Sequence, residues 1–161
     1  MGHLTAWFEG EFLRLQTDWR ELIQAIEAEK IYQRSSAREL SFGEQLVRSA
    51  CVVEQTFGGI TANLWDDPFE WTLPENLATR DKLLEYFNEV ETTRRKGFEL
   101  LKNDEDLMKD VITPSGRMQL ASLLLDTLVR SSQYRLRAQE IHDRIKAADG
   151  IENLPVSAEA Y

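Results

Sequence analysis

Phe8, Phe12, Leu15, Trp19, Leu22 and Ile26 recur at spacings of four and three. They form one apolar stripe on a helix that runs from about Leu4 to Lys30, roughly seven turns long. A stripe of that length needs other helices to cover it, so its first meaning is a bundle seam. Ile31 to Arg38 reads as a polar connection.

The next stretch, Leu40 to Gln55, opens on a helix start signal. Ser41 followed by Glu44 is a capping box, in which the Ser hydroxyl accepts the N3 backbone N–H and the Glu reaches back to the cap. The helix launched there runs from Ser41 to about Asn63. Leu46, Val47, Ala50, Cys51, Val53, Phe57 and Ile60 form its apolar set, and Gly58-Gly59 weakens its last turn. Glu44, Arg48, Cys51/Val52 and Gln55 lie along one side, because residues three and four apart are neighbours. Arg48 falls nearly opposite Leu46, Ala50, Val53 and Phe57. One reading is a solvated face with a Glu44–Arg48 pair worth about 0.3 to 0.5 kcal/mol. The other turns that face toward an internal cleft and packs the apolar face elsewhere, for instance on a partner chain.

The run LWDDPFEWTLPEN has two prolines and clustered acids, which stop regular structure. Its Trp65, Phe69 and Trp71 are expected to fold back onto the bundle end. A third helix, about Leu77 to Lys102, uses Leu83/Leu84, Phe87, Val90, Gly97/Phe98 and Leu101, with Arg94 interrupting the seam and facing inward. Asn103 to Gly116 reads as a connection with a Thr-Pro-Ser-Gly turn. A fourth helix, about Met118 to Ala147, is apolar on most sides between Leu120 and Val129 and polar beyond. Asp149-Gly150 is read as its end, with ENLPVSAEAY as a tail. No run alternates with period two. The expectation is an all-α fold: one four-helix bundle domain over residues 1–161 with a short C-terminal tail.

The formal charge of −9, from 28 acidic and 19 basic residues, repels phosphate backbones, and the basic residues are interleaved with acids. Nucleic acid is therefore excluded as a partner. No apolar run approaches the ~20 residues that span a bilayer, and the N-terminus has no basic-then-apolar signal, so no membrane partner is expected. The single cysteine, Cys51, precludes an internal disulfide and fits a reducing cytoplasm. Of the two histidines, His3 lies near the N-terminus and His142 among polar residues. Zinc and haem sites are disfavoured, and the Glu-x-x-His signature of di-iron bundles is absent, since Glu140 precedes His142 by two. Cys51 lies one turn from Arg48, which would favour a thiolate. The competing reading is a small buried hydrophobe.

With the helices placed, the pattern resembles the DinB/YfiT-like superfamily, which includes bacillithiol- and mycothiol-dependent transferases. The matching run on the second helix is LSFGEQLVR, in which the family's metal-binding His position is held by Arg48. On the fourth helix the family's His-x-x-x-His-then-Arg matches RSSQYR, which puts Arg130 and Tyr134 at the other two His positions. Gly150 and Pro155 match the family's Gly-then-Pro ending. A shifted register, with Arg137-Ala138-Gln139 on the family's Arg-x-Gln, places Ser132 and Leu136 there instead. The resemblance implies a bundle whose metal triad is lost, because arginine offers no lone pair and stays protonated. It also implies a bacterial protein and a possible homodimer.

The candidate cleft then comprises Arg48, Arg130, Tyr134, Asp126, Glu44 and Cys51, with no catalytic residue, metal or cofactor. An inward arginine needs a carboxylate or a bound anion; Asp126, Glu44 and Glu54 are the candidate carboxylates. Arg48 and Arg130 would clamp a small anionic ligand while Tyr134 donates a hydrogen bond, or an Arg–carboxylate–Tyr cluster would replace the metal as a polar plug. The functional expectation is a non-catalytic binding or interaction protein. The alternatives are a thiol-dependent transferase or metal-dependent hydrolase on a site in another register, and a structural homodimer.

Overall fold

The computed structural model describes residues 1–71 and 74–152. Four long helices carry it: α1 His3–Ala25, α2 Phe42–Ala62, α4 Arg80–Glu99 and α5 Leu120–Glu152, with the single turn α3 Pro68–Trp71 between the second and the next. 3-10 turns at Ala28–Lys30, Pro74–Leu77 and Asp104–Met108 fill connections. The bundle is therefore all-α in its body, as the apolar stripes predict. α2 is the central helix, packing on both α5 and α4.

The largest departures from the sequence expectation are two helix ends and one connection. α1 stops at Ala25 because Ile26 turns extended (φ −96°, ψ 146°) to drop its side chain into the core, where it is buried. α5 does not end at Asp149-Gly150 but continues to Glu152. Lys30 Nζ bonds both Asp149 carboxylate oxygens, at 2.6 and 2.7 Å, and ties that last stretch to the turn after α1. Pro155 and the expected tail lie outside the described residues. Between α4 and α5 stands a hairpin that the sequence reading lacks: β1 Asp110–Thr113 pairs antiparallel with β2 Gly116–Gln119. Val111 faces Met118 across it, and both pack on the core cluster. Gly116 takes φ +116°, a conformation that favours glycine, and closes the turn.

The core centres on aromatic rings. Phe12 and Phe57 meet edge to face at 5.1 Å, and Phe98 tilts against Phe57 at 5.3 Å. A Cβ on Gly97 would lie 2.4 Å from the Phe57 ring, so the absence of a side chain there lets α4 approach α2. Trp65 and Phe69 pack on this core as expected; the Trp71 side chain lies outside the described part.

The α2–α5 seam is polar. Trp19 Nε1 on α1 donates to Ser49 Oγ at 2.8 Å; Ser49 Oγ donates to the Ser131 carbonyl, and Ser131 Oγ donates to the Ser49 carbonyl, each at 2.8 Å. Two turns along, the Thr56 and Thr127 hydroxyls sit 2.7 Å apart. Every one of these side chains is buried, and their small size lets the two backbones draw close.

α1 has no cap of its own, since Gly2 offers no side chain. Asp104, from the turn before the hairpin, supplies one: its carboxylate accepts from Thr5 N at 2.8 Å, Leu4 N at 3.2 Å and Thr5 Oγ1 at 2.9 Å. These bonds, that from Thr5 N foremost, hold its carboxyl below the ordinary aspartate range. A depressed carboxyl contributes stability above its unfolded pKa and loses it as pH falls through the folded value. Asp104→Asn therefore lowers Tm at pH 7, and the difference from the parent closes on acidification below about pH 4. Melting curves from pH 7 to pH 3 test this; a gap that stays constant would rule out the linkage.

Candidate functional site

Of the six candidate residues, Arg130 and Asp126 pair with each other, while Arg48, Glu44 and Cys51 each have other partners. Arg48 leans out from α2, with its guanidinium 3.8 Å from the centroid of the Phe69 ring and one Nη 3.8 Å from the Asp67 carboxylate. Its Nε is buried without a hydrogen-bond partner. The arginine therefore pins α3 and the segment before it onto α2. Gln55 helps, donating to the Trp65 carbonyl at 2.7 Å.

Glu44 completes the capping box, accepting from Ser41 N at 2.7 Å while Ser41 Oγ accepts from Glu44 N at 3.2 Å. Its other partner is Arg34, from the connection before α2, and not Arg48. The expected Glu44–Arg48 pair is thus not formed. Arg34 reaches the carboxylate with a two-pronged contact, which an i,i+4 neighbour on the same helix would have to displace.

Arg130 and Asp126 do meet, at 2.8 Å, as an i,i+4 pair with side chains 43% and 51% exposed. Tyr134 is half-buried, with the Arg137 guanidinium 5.5 Å from its ring centroid. Arg48 and Arg130 have different partners, Phe69 and Asp67 for the one and Asp126 for the other. The residues that meet across the seam are Ser49 and Ser131, one position further along each helix and so about 100° further round it. The arginines flank the seam.

Cys51 is buried, with Sγ 3.2 Å from the Tyr86 hydroxyl, which in turn donates to the Glu54 carboxylate. Burial pushes the thiol up to about 12. It raises Tyr86 as well, and raises Glu54, with Glu89 adding repulsion against the Tyr86 hydrogen bond. This is a buried cluster without an activated nucleophile. Iodoacetamide at pH 8 is expected to leave Cys51 unmodified in the native protein and to alkylate it fully in urea. Rapid native labelling, read by mass spectrometry, would contradict this burial. Glu54 supplies a second test. A raised carboxyl gives stability that is present below its unfolded pKa and lost as pH rises through the folded value. Glu54→Gln should therefore raise Tm at pH 7 and leave it unchanged near pH 4. A fall in Tm at neutral pH would show that the carboxylate is needed charged.

Among the described residues no group of three or more His, Cys, Asp and Glu side chains could hold a metal ion. Arg48 and Arg130 carry guanidinium groups, which offer a metal no lone pair and repel a cation. No helix among the described residues is long and apolar enough to cross a membrane. Sequence reasoning missed Tyr86, which lies 35 residues from Cys51 with no spacing to betray the contact. It also missed Gln45, buried on α2 with its Oε1 unpartnered.

No protein-family model matches the chain, and no curated protein matches it. Among solved structures it is similar to a DinB-like protein from Bacillus cereus ATCC 10987, with a TM-score of 0.67 over 86% of this chain and 91% of that one, at 11% sequence identity. The fold is thus DinB-like. Likeness at that identity carries the fold alone.

Proposed function

We propose that this DinB-like bundle works without a metal centre, as a non-catalytic interaction protein of the bacterial cytoplasm that pairs with a second copy of itself. The observation that carries the reading is an apolar strip along α1 and α5. Leu125, Val129, Ser132 and Leu136 follow one another at helical spacing on α5, and Trp7 faces them from α1, with Leu4 one turn before it. Trp7, Leu125, Val129 and Leu136 are each about half exposed. They line a groove of about 490 Å³ between the helices. Half-exposed apolar side chains set in a row and rimmed by charged residues have the make-up of an interface, with an apolar centre inside a polar rim.

The charge around the strip favours a second copy as its occupant. The groove holds Glu11 and Asp18 against Arg14 and Arg135, paired at 3.2 Å (Glu11–Arg14) and 3.5 Å (Asp18–Arg135). It is neutral, while the chain as a whole carries −9 and repels its own copies elsewhere. A two-fold axis can oppose each rim charge to one of the other sign. The metal-free part rests on Arg48, Arg130 and Tyr134 at the family's ligand positions.

Sedimentation equilibrium tests the pairing. The parent is expected to sediment as a dimer at micromolar concentration, and Leu125→Glu with Val129→Glu to weaken it by about 100-fold or more, because two charges would enter a dry interface. A monomeric parent would remove the self-association reading. Stoichiometric nickel or zinc in the purified protein would remove the metal-free reading and return the chain to the transferases and hydrolases of the superfamily.

A further inference from the structure

A second surface stands apart from the α1–α5 strip and does not depend on it. Two hollows, of about 430 and 400 Å³, lie between the late part of α5 and the connection that leads from α1 to α2. They share Leu40, Ile141 and Arg144, and so form one continuous groove. Its floor is apolar, made by Leu40, Ile141 and Ile145. Its walls hold five basic against four acidic side chains, in a chain whose net charge is −9.

The basic residues differ in what they are free to do. Lys30 is held by Asp149, Arg34 by Glu44, and Arg144 by Glu39. Arg38 and Arg137 have no carboxylate partner among the described residues; Arg137 only overhangs the Tyr134 ring. Gln45 lines the same hollow as both. Gln45 is only 7% exposed, and its Oε1 has no hydrogen-bond partner. A buried acceptor in that state lowers its free energy once a donor reaches it. An apolar floor, two uncommitted guanidinium groups and an orphan amide define a ligand by its chemistry.

We propose that this groove binds a small organic anion, a carboxylate or phosphate monoester with a short apolar body. Its acid group lies at Arg38 and Arg137, its body covers Leu40, Ile141 and Ile145, and a polar hydrogen of the ligand or of a water it carries meets Gln45. Arginine suits the acid group because its planar fork matches a carboxylate or phosphate in a two-pronged contact. The anionic ligand expected from Arg48 and Arg130 is thereby moved to arginines that no partner has claimed.

Three probes separate the components: sodium octanoate carries the acid and the body, inorganic phosphate the acid alone, and 1-hexanol the body alone. Isothermal titration calorimetry at low salt on the full chain is expected to show octanoate binding at least about tenfold more tightly than either of the others. Arg38→Gln with Arg137→Gln, both surface changes that leave the core untouched, is expected to weaken octanoate by about tenfold or more. Gln45→Leu should weaken it several-fold while Tm holds or rises, since the orphan acceptor is gone. Each of three results would overturn the proposal: no heat with octanoate, octanoate no tighter than 1-hexanol, or affinity unchanged in the double arginine variant. Chemical-shift changes confined to Trp7 and its neighbours on α1 would likewise place the probe on the other face and overturn it.

Discussion

Trp19→Ala lowers the unfolding free energy by about 3 to 5 kcal/mol, the range for emptying a buried aromatic site. Trp19 is fully buried, and its ring tilts against Phe87 at 5.4 Å. It is also the point where three helices meet, because its Nε1 reaches from α1 to Ser49 on α2, which is in turn bonded to Ser131 on α5. Truncation leaves a cavity that rigid aromatic neighbours cannot close, and it removes a donor from a buried hydroxyl. Trp19→Phe separates the two effects. It keeps most of the packing and loses the N–H, so it should cost about 1 to 3 kcal/mol. Urea denaturation followed by circular dichroism measures both. A cost below about 1 kcal/mol for Trp19→Ala would mean that the three-helix junction does not hold the bundle together.

That junction also shows where the sequence was legible. The stripe from Phe8 to Ile26 gives α1 and its buried face, since six large apolar residues at helical spacing leave little else to bury. The Ser41–Glu44 box marks the start of α2, because its bonds are local and need no tertiary partner. The tightest helix contact was not legible. Ser49, Thr56, Thr127 and Ser131 read as polar, and only the pairing of two distant helices makes them inward-facing. The same limit applies to the partners of the candidate residues. Whether Arg48 turns inward depends on Asp67 and Phe69 beyond a loop, and whether Glu44 is free depends on Arg34 before the helix. The hairpin escaped because four-residue strands are too short to show a period, and Val111 opposite Met118 is its one apolar pair. α5 outran its glycine because Lys30, on a different element, holds Asp149.

Arg94→Ala is expected to cost about 3 kcal/mol, while Arg94→Met combined with Gln16→Leu should restore stability to within about 1 kcal/mol of the parent. Arg94 is 3% exposed on α4, donates from Nε to Gln16 Oε1 at 2.9 Å, and lies 3.7 Å from Glu9. Burial works against its charge, and two donors remain unpartnered there, Arg94 Nη1 and Gln16 Nε2. Removing the arginine alone strands a fully buried amide next to a void. Replacing both partners with apolar side chains of similar size removes the polar requirement altogether, and Glu9, one-third exposed, can turn to water. The signature is therefore a coupling of about 2 kcal/mol between the two sites, read from a double-mutant cycle in urea. Additive losses would mean that Arg94 is held by something other than Gln16. The interrupting arginine of the α4 stripe is thus a plug between α1 and α4. Its charge is committed to the fold, which leaves anion recognition to the arginines of the α5 groove that have no such partner.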